Sequence, residues 1–380
     1  MKGFPHNLLE RPPTERRAYF NDFTALHPML EKTYEALRRA IRNAMPGAII
    51  MVYGPTGVGK TTLLEGLNRH LMETVLAEMK EDRGRFPVIY TRTVGTEKDK
   101  FEWKDFFRRL LIDLDEPAVD RKVDMRKWEH HEFNRRLIND HKTSGSQFRY
   151  AAEQALKHRR PLALLVDEAQ HIGIVGSGQK LLNQLNVLKS VADTTKVPHV
   201  LCGTYELLPF RDLNGQLSRR SFDIHFPRYR ADLPEQREAF INVAWTFQHH
   251  LPVAEMPDLT GVWDFLYERS IGCIGILKDW LSAALALSLE ETSPSLTRAH
   301  LDATAPATAK CMRQLTEAVE GERKLTESDE SRELLRQYLG LEAGEARKIQ
   351  PHQAAESKRP KRRRVGSRNP VRDPIGEKVA

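Results

Sequence analysis

The sequence predicts an α/β fold in which a parallel, doubly wound sheet is followed by a helical domain and a disordered basic C-terminal tail. Short β-type runs alternate with helical patterns up to about residue 230, and this alternation is typical of a parallel sheet covered by helices. Beyond that point helical patterns follow one another, until Lys, Arg and Pro dominate from Gly344 onward. The predicted segments are an N-terminal extension (1–25), an α/β core (26–230), the helical domain (231–317), a charged helical extension (318–343) and the tail (344–380).

Each predicted element follows from the period of its apolar residues. Residues 27–45 repeat apolar side chains at helical spacing, whereas 48–53 form an apolar run that stops at Gly54-Pro55. The other predicted strands are 86–94, 162–166, 197–203 and 222–226. The other predicted helices are 61–79, 233–251, 259–270, 275–291, 298–317 and 328–341.

Composition excludes several classes of protein. The chain of 380 residues is 40% hydrophobic and 29% charged, unlike collagen, a coiled-coil rod or a wholly disordered chain. Its longest apolar runs fall far short of the roughly 20 residues that cross a bilayer. Because three cysteines are widely separated and no secretory signal is visible, we expect a soluble, cytoplasmic protein without a membrane partner.

The formal net charge of +7 is located in the tail. Residues 357–380 contain nine basic and two acidic side chains, out of 59 and 52 in the whole chain. The rest of the chain is therefore formally neutral, and a basic surface over the folded body is not predicted.

The strongest motif lies between the first predicted strand and the following helix. It matches the phosphate-binding pattern G-x-x-x-x-G-K-[ST], in which glycines let backbone N–H groups surround phosphate oxygens at a helix N-terminus. Lys60 is expected to reach the β- and γ-phosphates of ATP, and Thr61 to supply a hydroxyl to Mg²⁺. The predicted nucleotide-binding residues are Gly54, Pro55, Thr56, Gly57, Val58, Gly59, Lys60, Thr61 and Thr62.

A pair of carboxylates follows the strand at 162–166. Asp167 and Glu168 are thereby placed at the edge of the sheet where open α/β folds bind ligands. Asp167 is predicted to orient Mg²⁺, and Glu168 to act as the general base or water-positioning group in ATP hydrolysis. The alternative is an ordinary helix N-cap.

Four further residues are candidates for the same site. Thr204 ends the fourth strand, where it either senses the γ-phosphate or caps a turn. Arg219 and Arg220 precede the fifth strand and are either a solvated pair or the arginines that reach a neighbouring subunit's nucleotide. Lys278, in a helix that starts near Gly275, either faces a nucleotide lid or faces solvent.

These motifs together resemble the AAA+ ATPase regulators of DNA transposition, the TnsC/TniB type, over roughly residues 25–300. The residues that carry the resemblance are Gly54 to Thr61, Asp167-Glu168-Ala169-Gln170-His171, Gly203-Thr204-Tyr205, Arg219-Arg220 and Gly272-x-x-Gly275-x-Leu277. The resemblance implies a bacterial AAA+ P-loop ATPase with a helical lid domain, which assembles as a homo-oligomer, ring or helical filament on double-stranded DNA. It also implies recruitment of a transposase and communication with a target-selecting protein or RNA-guided complex.

In that family the segment after the second strand contacts DNA, which makes Lys98, Lys100 and Lys104 the candidates here. Acidic residues alternate with these lysines, so a charged helix start is the alternative. The basic run 358–364 either binds nucleic acid, docks an acidic partner or solubilises the chain end.

Two other functions compete with transposition. A secretion-linked ATPase of the ExeA type shares the motifs, but we expect it to carry a membrane or cell-wall module. A scaffold with a degenerate nucleotide site would not require Lys60, Thr61, Asp167 and Glu168 together.

Overall fold

The structure, a computed structural model, describes residues 3–95, 101–121, 144–173, 179–212, 221–326 and 329–341. The chain divides into two units, Met1–Thr326 and Glu327–Ala380. The helices and strands are α1 (Pro13–Asp22), α2 (Pro28–Arg42), β1 (Ile49–Tyr53), α3 (Lys60–Glu81), β2 (Ile89–Arg92), α4 (Trp103–Asp113), α5 (Gly145–Arg159), β3 (Leu164–Asp167), α6 (Gln179–Thr195), β4 (His199–Gly203), α7 (Leu208–Asp212), β5 (Ser221–His225), α8 (Pro234–His250), α9 (Trp263–Ser270), α10 (Ile274–Glu290), α11 (Arg298–Thr304), α12 (Thr308–Leu325) and, in the second unit, α13 (Asp329–Tyr338).

The five strands form one parallel sheet in the order β2-β3-β4-β1-β5. This confirms the predicted α/β class and all five predicted strands. The register pairs Tyr53 with both Gly203 and His225, and Arg92 with Asp167. The residues that follow β1, β3 and β4 therefore meet at one edge of the sheet, where ligands of open α/β folds bind.

Helices cover both faces of the sheet because side chains of a buried strand alternate between the two faces. Ile49, Met51 and Tyr53 of β1 pack in one apolar cluster with α4, α5 and α6. Ile50 and Val52 pack in the other, with α2 and α3. Each β1 side chain thus fixes a helical layer, and the strand itself is fully buried.

The helical part has an apolar core of its own, built mainly from α8 and α10. The N-terminal helix α1 belongs to this core, since Phe20 is fully buried and its ring lies 5.9 Å from that of Phe247. Helix α1 was not predicted, because only Phe20 of its ten residues is buried and the sequence therefore shows no apolar period there.

The predicted single helix 298–317 is wrong. The chain forms α11 and α12 instead, separated at Ala305-Pro306-Ala307. Proline has no backbone N–H to donate and disfavours helical geometry at the residue before it, so the helix ends there. The break redirects α12, which continues to Leu325 and passes close to the carboxyl edge of the sheet.

Within the described residues, no single helix is long and apolar enough to span a membrane. Helices α9 and α10 reach that length and apolar character only when they are taken together, and the chain bends by 112° between them.

Candidate active site

The phosphate-binding loop joins β1 to α3, and the side chain of its lysine, Lys60, is buried against the loop. The Lys60 ammonium group donates hydrogen bonds to the carbonyl oxygens of Gly54 at 3.1 Å and Pro55 at 2.9 Å. Lys60 is only 8% exposed, and this burial lowers its pKa, opposed by the nearby charges of Glu168 and Asp167. The loop therefore places a buried cation beside two carboxylates before any ligand contributes charge.

Asp167 is the centre of a hydrogen-bond network. It is 1% exposed, and its Oδ2 accepts from the Thr61 hydroxyl and the Tyr90 hydroxyl, each at 2.9 Å. Its Oδ1 accepts from the Glu168 backbone N–H at 2.8 Å. The two residues predicted to hold Mg²⁺ are thus in direct contact. Tyr90 was not predicted, because a tyrosine in a strand resembles any other half-buried aromatic residue.

The chemistry of this pair suits magnesium. A hydroxyl and a carboxylate are hard oxygen donors, and Mg²⁺ is usually held by one or two carboxylates together with substrate phosphates. In the described part of the chain no three His, Cys, Asp or Glu side chains cluster as a metal site. Thr61 and Asp167 therefore fit a Mg²⁺ that arrives with nucleotide, and their role as its ligands stays a prediction.

Glu168 is held from two sides. Its backbone is left-handed, at φ 52°, and its Oε2 accepts from the Gln170 side-chain amide at 2.6 Å. An Arg92 guanidinium nitrogen lies 3.7 Å from its Oε1. Gln170 was predicted only as part of a motif and Arg92 was not predicted in the site, because a residue's type does not show which carboxylate it will contact.

Thr204 lies where β4 ends, between the loop and the carboxylates. Its backbone N–H donates to Gln170 Oε1 at 3.3 Å, and its Oγ1 is buried without a hydrogen-bond partner among the described residues. A buried hydroxyl without a partner is costly unless a ligand or water satisfies it. Thr204 also lines a cavity of about 620 Å³ together with Pro55, Thr56 and Gln170.

Helix α12 forms the opposite wall of this cavity. It packs Gly321 onto the Tyr205 ring, and Glu322 pairs with Arg228 at 3.1 Å in a largely buried ion pair. Tyr205 in turn shares a hydrogen bond of 2.8 Å with His225, whose pKa is lowered to about 4 by burial. The sheet edge and α12 are therefore joined around the cavity, which the sequence did not predict.

The helical part also touches the phosphate-binding loop. The Gly57 carbonyl accepts hydrogen bonds from the backbone N–H groups of Gly275 at 2.7 Å and Ile276 at 3.3 Å, at the start of α10. Gly57 has φ +76°, and a Cβ there would lie 2.4 Å from the Ile276 side chain. Only glycine allows this approach.

Lys278 lies one turn further along α10. Its ammonium group donates to the Asn21 carbonyl at 2.6 Å, and burial lowers its pKa. In this structure Lys278 thus contacts the N-terminal segment, and its predicted contact with nucleotide stays a prediction.

Residues 42–210 match the family model of the AAA domain. The chain contains an AAA-type ATPase domain. The match runs from the end of α2 into α7, and so includes β1 to β4 with the phosphate-binding loop, Asp167, Glu168 and Thr204. The protein is accordingly an ATPase, as the sequence predicted.

Several solved structures are similar to this chain. The Orc2 protein of Aeropyrum pernix, solved with ADPNP and ADP, is 15% identical, with 75% of this chain and 70% of that chain covered at a TM-score of 0.47. A Walker-type ATPase of Pyrococcus abyssi is 15% identical, with coverages of 82% and 76% and a TM-score of 0.43. Drosophila ORC bound to DNA is 14% identical, with 91% of this chain and 83% of that chain covered at a TM-score of 0.45. Similarity at this level does not carry their partners to this chain, and none of the curated proteins matches it.

The residues predicted to connect the AAA domain to its partners are not brought into the site. Arg219, Arg220, Lys98, Lys100 and the basic tail lie outside the described residues. Lys104 lies in the first turn of α4, exposed, with its ammonium nitrogen 5.8 Å from the centroid of the Phe148 ring. All of these assignments stay predictions.

Proposed function

We propose that this AAA ATPase is a DNA-binding regulator of transposition, which assembles with ATP and Mg²⁺ as an oligomer or filament on double-stranded DNA. In the bacterial cytoplasm it recruits a transposase and links it to a target-selecting protein or RNA-guided complex. ATP hydrolysis then takes the assembly apart. The resemblance of its motifs to the TnsC/TniB type supports the transposition role.

The observation that carries the nucleotide chemistry is the contact between Thr61 and Asp167 beside Glu168 and a partly buried Thr204. The loop amides and Lys60 would hold the phosphates, and Thr61 and Asp167 would hold Mg²⁺, which supplies positive charge to phosphate oxygens when bound. Glu168 would orient and deprotonate a water, and the Thr204 hydroxyl, which has no partner among the described residues, would donate to a phosphate oxygen.

The oligomer is proposed from the predicted arginine pair. Phosphoryl transfer by ATPases of this kind commonly uses an arginine to stabilise the transition-state charge. Among the described residues, Arg92 lies 3.7 Å from the Glu168 carboxylate and pairs with it. We infer that a second copy supplies the arginine for the phosphates, and Arg219 and Arg220 are the candidates.

DNA binding is proposed to use the segment that follows β2. Lys98, Lys100 and Lys104 of successive subunits would track phosphates without reading sequence, which suits a body that is otherwise formally neutral. The exposed position of Lys104 agrees with this role.

The direct test is binding of the purified protein to fluorescent duplex DNA with ATP, with ADP and without nucleotide, between about 50 and 200 mM salt. We expect ATP-dependent oligomers by electron microscopy and light scattering. Lys60→Ala should abolish nucleotide-dependent assembly, whereas Glu168→Gln should assemble and persist because hydrolysis is slowed. A transposase and donor DNA from the same element should be retained by the persistent Glu168→Gln assembly.

Two controls separate the alternatives. The triple change of Lys98, Lys100 and Lys104 to Ala should weaken binding and shallow its salt dependence, whereas deletion of 357–380 should leave ATP-dependent assembly intact. Equal DNA binding with ATP, with ADP and without nucleotide would contradict the proposal and favour an ATPase of the ExeA type.

A further inference from the structure

We propose that Gln170 is a positioning residue, which orients the Glu168 carboxylate and couples it to the end of β4. This inference rests on the proposed catalytic role of Glu168. Gln170 is 6% exposed, lies two residues after Glu168 in a short 3₁₀ turn, and borders the same cavity as the phosphate-binding loop.

The orientation of the Gln170 amide is determined by its two partners. Its Oε1 accepts from the Thr204 backbone N–H at 3.3 Å, and a backbone N–H can only donate. The amide nitrogen must therefore face Glu168, whose Oε2 accepts from it at 2.6 Å. One side chain thus connects the proposed general base to the first residue after β4.

The chain leaves room for this side chain at Gly203. A Cβ on Gly203 would lie 2.3 Å from Gln170 Oε1, 2.9 Å from the Leu207 side chain and 3.1 Å from the Gln170 backbone nitrogen. The first of these contacts is shorter than real Cβ atoms show, so any larger residue would push the amide away from Thr204. Glycine at this position is explained by the close approach of Gln170 and Leu207 and not by backbone conformation, since Gly203 lies in the regular strand β4.

The arrangement has a consequence for hydrolysis. Thr204 lines the cavity through a hydroxyl that has no partner among the described residues, while its backbone N–H holds Gln170. A ligand that engages Thr204 can therefore shift Gln170 and, through it, the carboxylate of Glu168. Gln170 itself need not touch the reacting atoms.

The experiment compares ATP binding and steady-state hydrolysis by the full chain in four variants. Gln170→Ala removes the donor, Gln170→Glu replaces it by a second carboxylate, and Gly203→Ala displaces it without changing either partner. The matched control is Gly66→Ala in α3, where an added Cβ meets nothing within 4 Å. Circular dichroism and thermal melting report folding.

We expect kcat to fall by about 10- to 100-fold in Gln170→Ala and Gly203→Ala, as for loss of one hydrogen bond to a charged group. The Kd for ATP should change by less than about threefold, and Gly66→Ala should match the wild type. In Gln170→Glu, an ionised carboxylate cannot donate to Glu168, so kcat should fall at least as far as in Gln170→Ala. A merely structural role would weaken ATP binding or lower the melting temperature together with kcat, so a loss of kcat alone separates positioning from it.

The outcomes distinguish this inference from the proposed function. Wild-type kcat in Gln170→Ala and Gly203→Ala, with Glu168→Gln inactive, would overturn the positioning role and leave the catalytic role of Glu168 standing. Wild-type hydrolysis by Glu168→Gln would overturn the catalytic role first. Loss of folding or of ATP binding together with kcat in both Gln170→Ala and Gly203→Ala would make Gln170 a structural residue, which also contradicts the proposal.

Discussion

The Asp167 network allows a quantitative prediction for Tyr90→Phe. The change removes one hydroxyl and leaves the ring, so apolar packing is retained. Asp167 is 1% exposed and its Oδ2 has two described donors, at equal distances of 2.9 Å. A hydrogen bond to a charged group contributes about 1.5–3 kcal/mol, and water cannot easily replace a donor at a buried oxygen. We expect the nucleotide-free protein to lose about that much stability.

The assay is thermal unfolding without nucleotide, in which the unfolding transition of the ATPase core is followed. For a core of this size, about 1 kcal/mol corresponds to roughly 2–4 °C in the midpoint, so Tyr90→Phe should melt at least about 3 °C below the wild type. The control is Tyr34→Phe, because the Tyr34 hydroxyl has no hydrogen bond to the described residues, although its ring lies 6.2 Å from that of His70.

A second variant tests whether the network acts as a unit. Thr61→Val removes the other donor to Asp167 Oδ2, and residues that share one acceptor typically couple by about 0.5–3 kcal/mol. The double variant should therefore differ from the sum of the two single changes. The reasoning would be refuted if Tyr90→Phe had the same melting temperature as the Tyr34→Phe control and if the stability changes of Tyr90→Phe and Thr61→Val were simply additive in the double variant.

Three further predictions concern pH, the α12 contact and the start of α10. Burial lowers the pKa of His199 to about 4. Below about pH 6.5 this histidine is therefore protonated in the unfolded chain but stays neutral in the folded chain, and the free energy of unfolding decreases as the pH is lowered. At pH 5 the loss is about 2 kcal/mol for this residue, and His199→Gln should remove it in unfolding curves compared at pH 7.5 and pH 5. Arg228→Ala should cost about 3 kcal/mol because it leaves Glu322 buried without its partner, and the double variant Arg228→Met with Glu322→Leu should recover part of that in a double-mutant cycle. Lys278→Ala should weaken ATP binding by about tenfold in calorimetry; an unchanged Kd would leave Lys278 with its Asn21 contact alone.

The phosphate-binding loop and the sheet were predictable because their signals are local. Glycines, a lysine and a threonine at fixed spacing between an apolar strand and a helix encode the loop, and the five strands appear as short apolar runs. The carboxyl edge of a parallel sheet then places Thr61 near Asp167, although they are 106 residues apart. Apolar periodicity and motif spacing were therefore enough to predict the fold class and the location of the candidate site.

The partners of the side chains in and around the candidate site were decided by tertiary structure alone. Gln170 meets Thr204 across 34 residues, Tyr90 meets Asp167 across 77, and Arg228 meets Glu322 across 94. No local period predicts these pairs, because a hydrogen-bond donor in a strand or turn looks the same in sequence whether it faces solvent or a buried carboxylate. Pro306 shows a related limit. The break that it makes was missed by the predicted single helix 298–317, and the position of α12 against Tyr205 at the edge of the sheet depends on packing between elements that are distant in the chain.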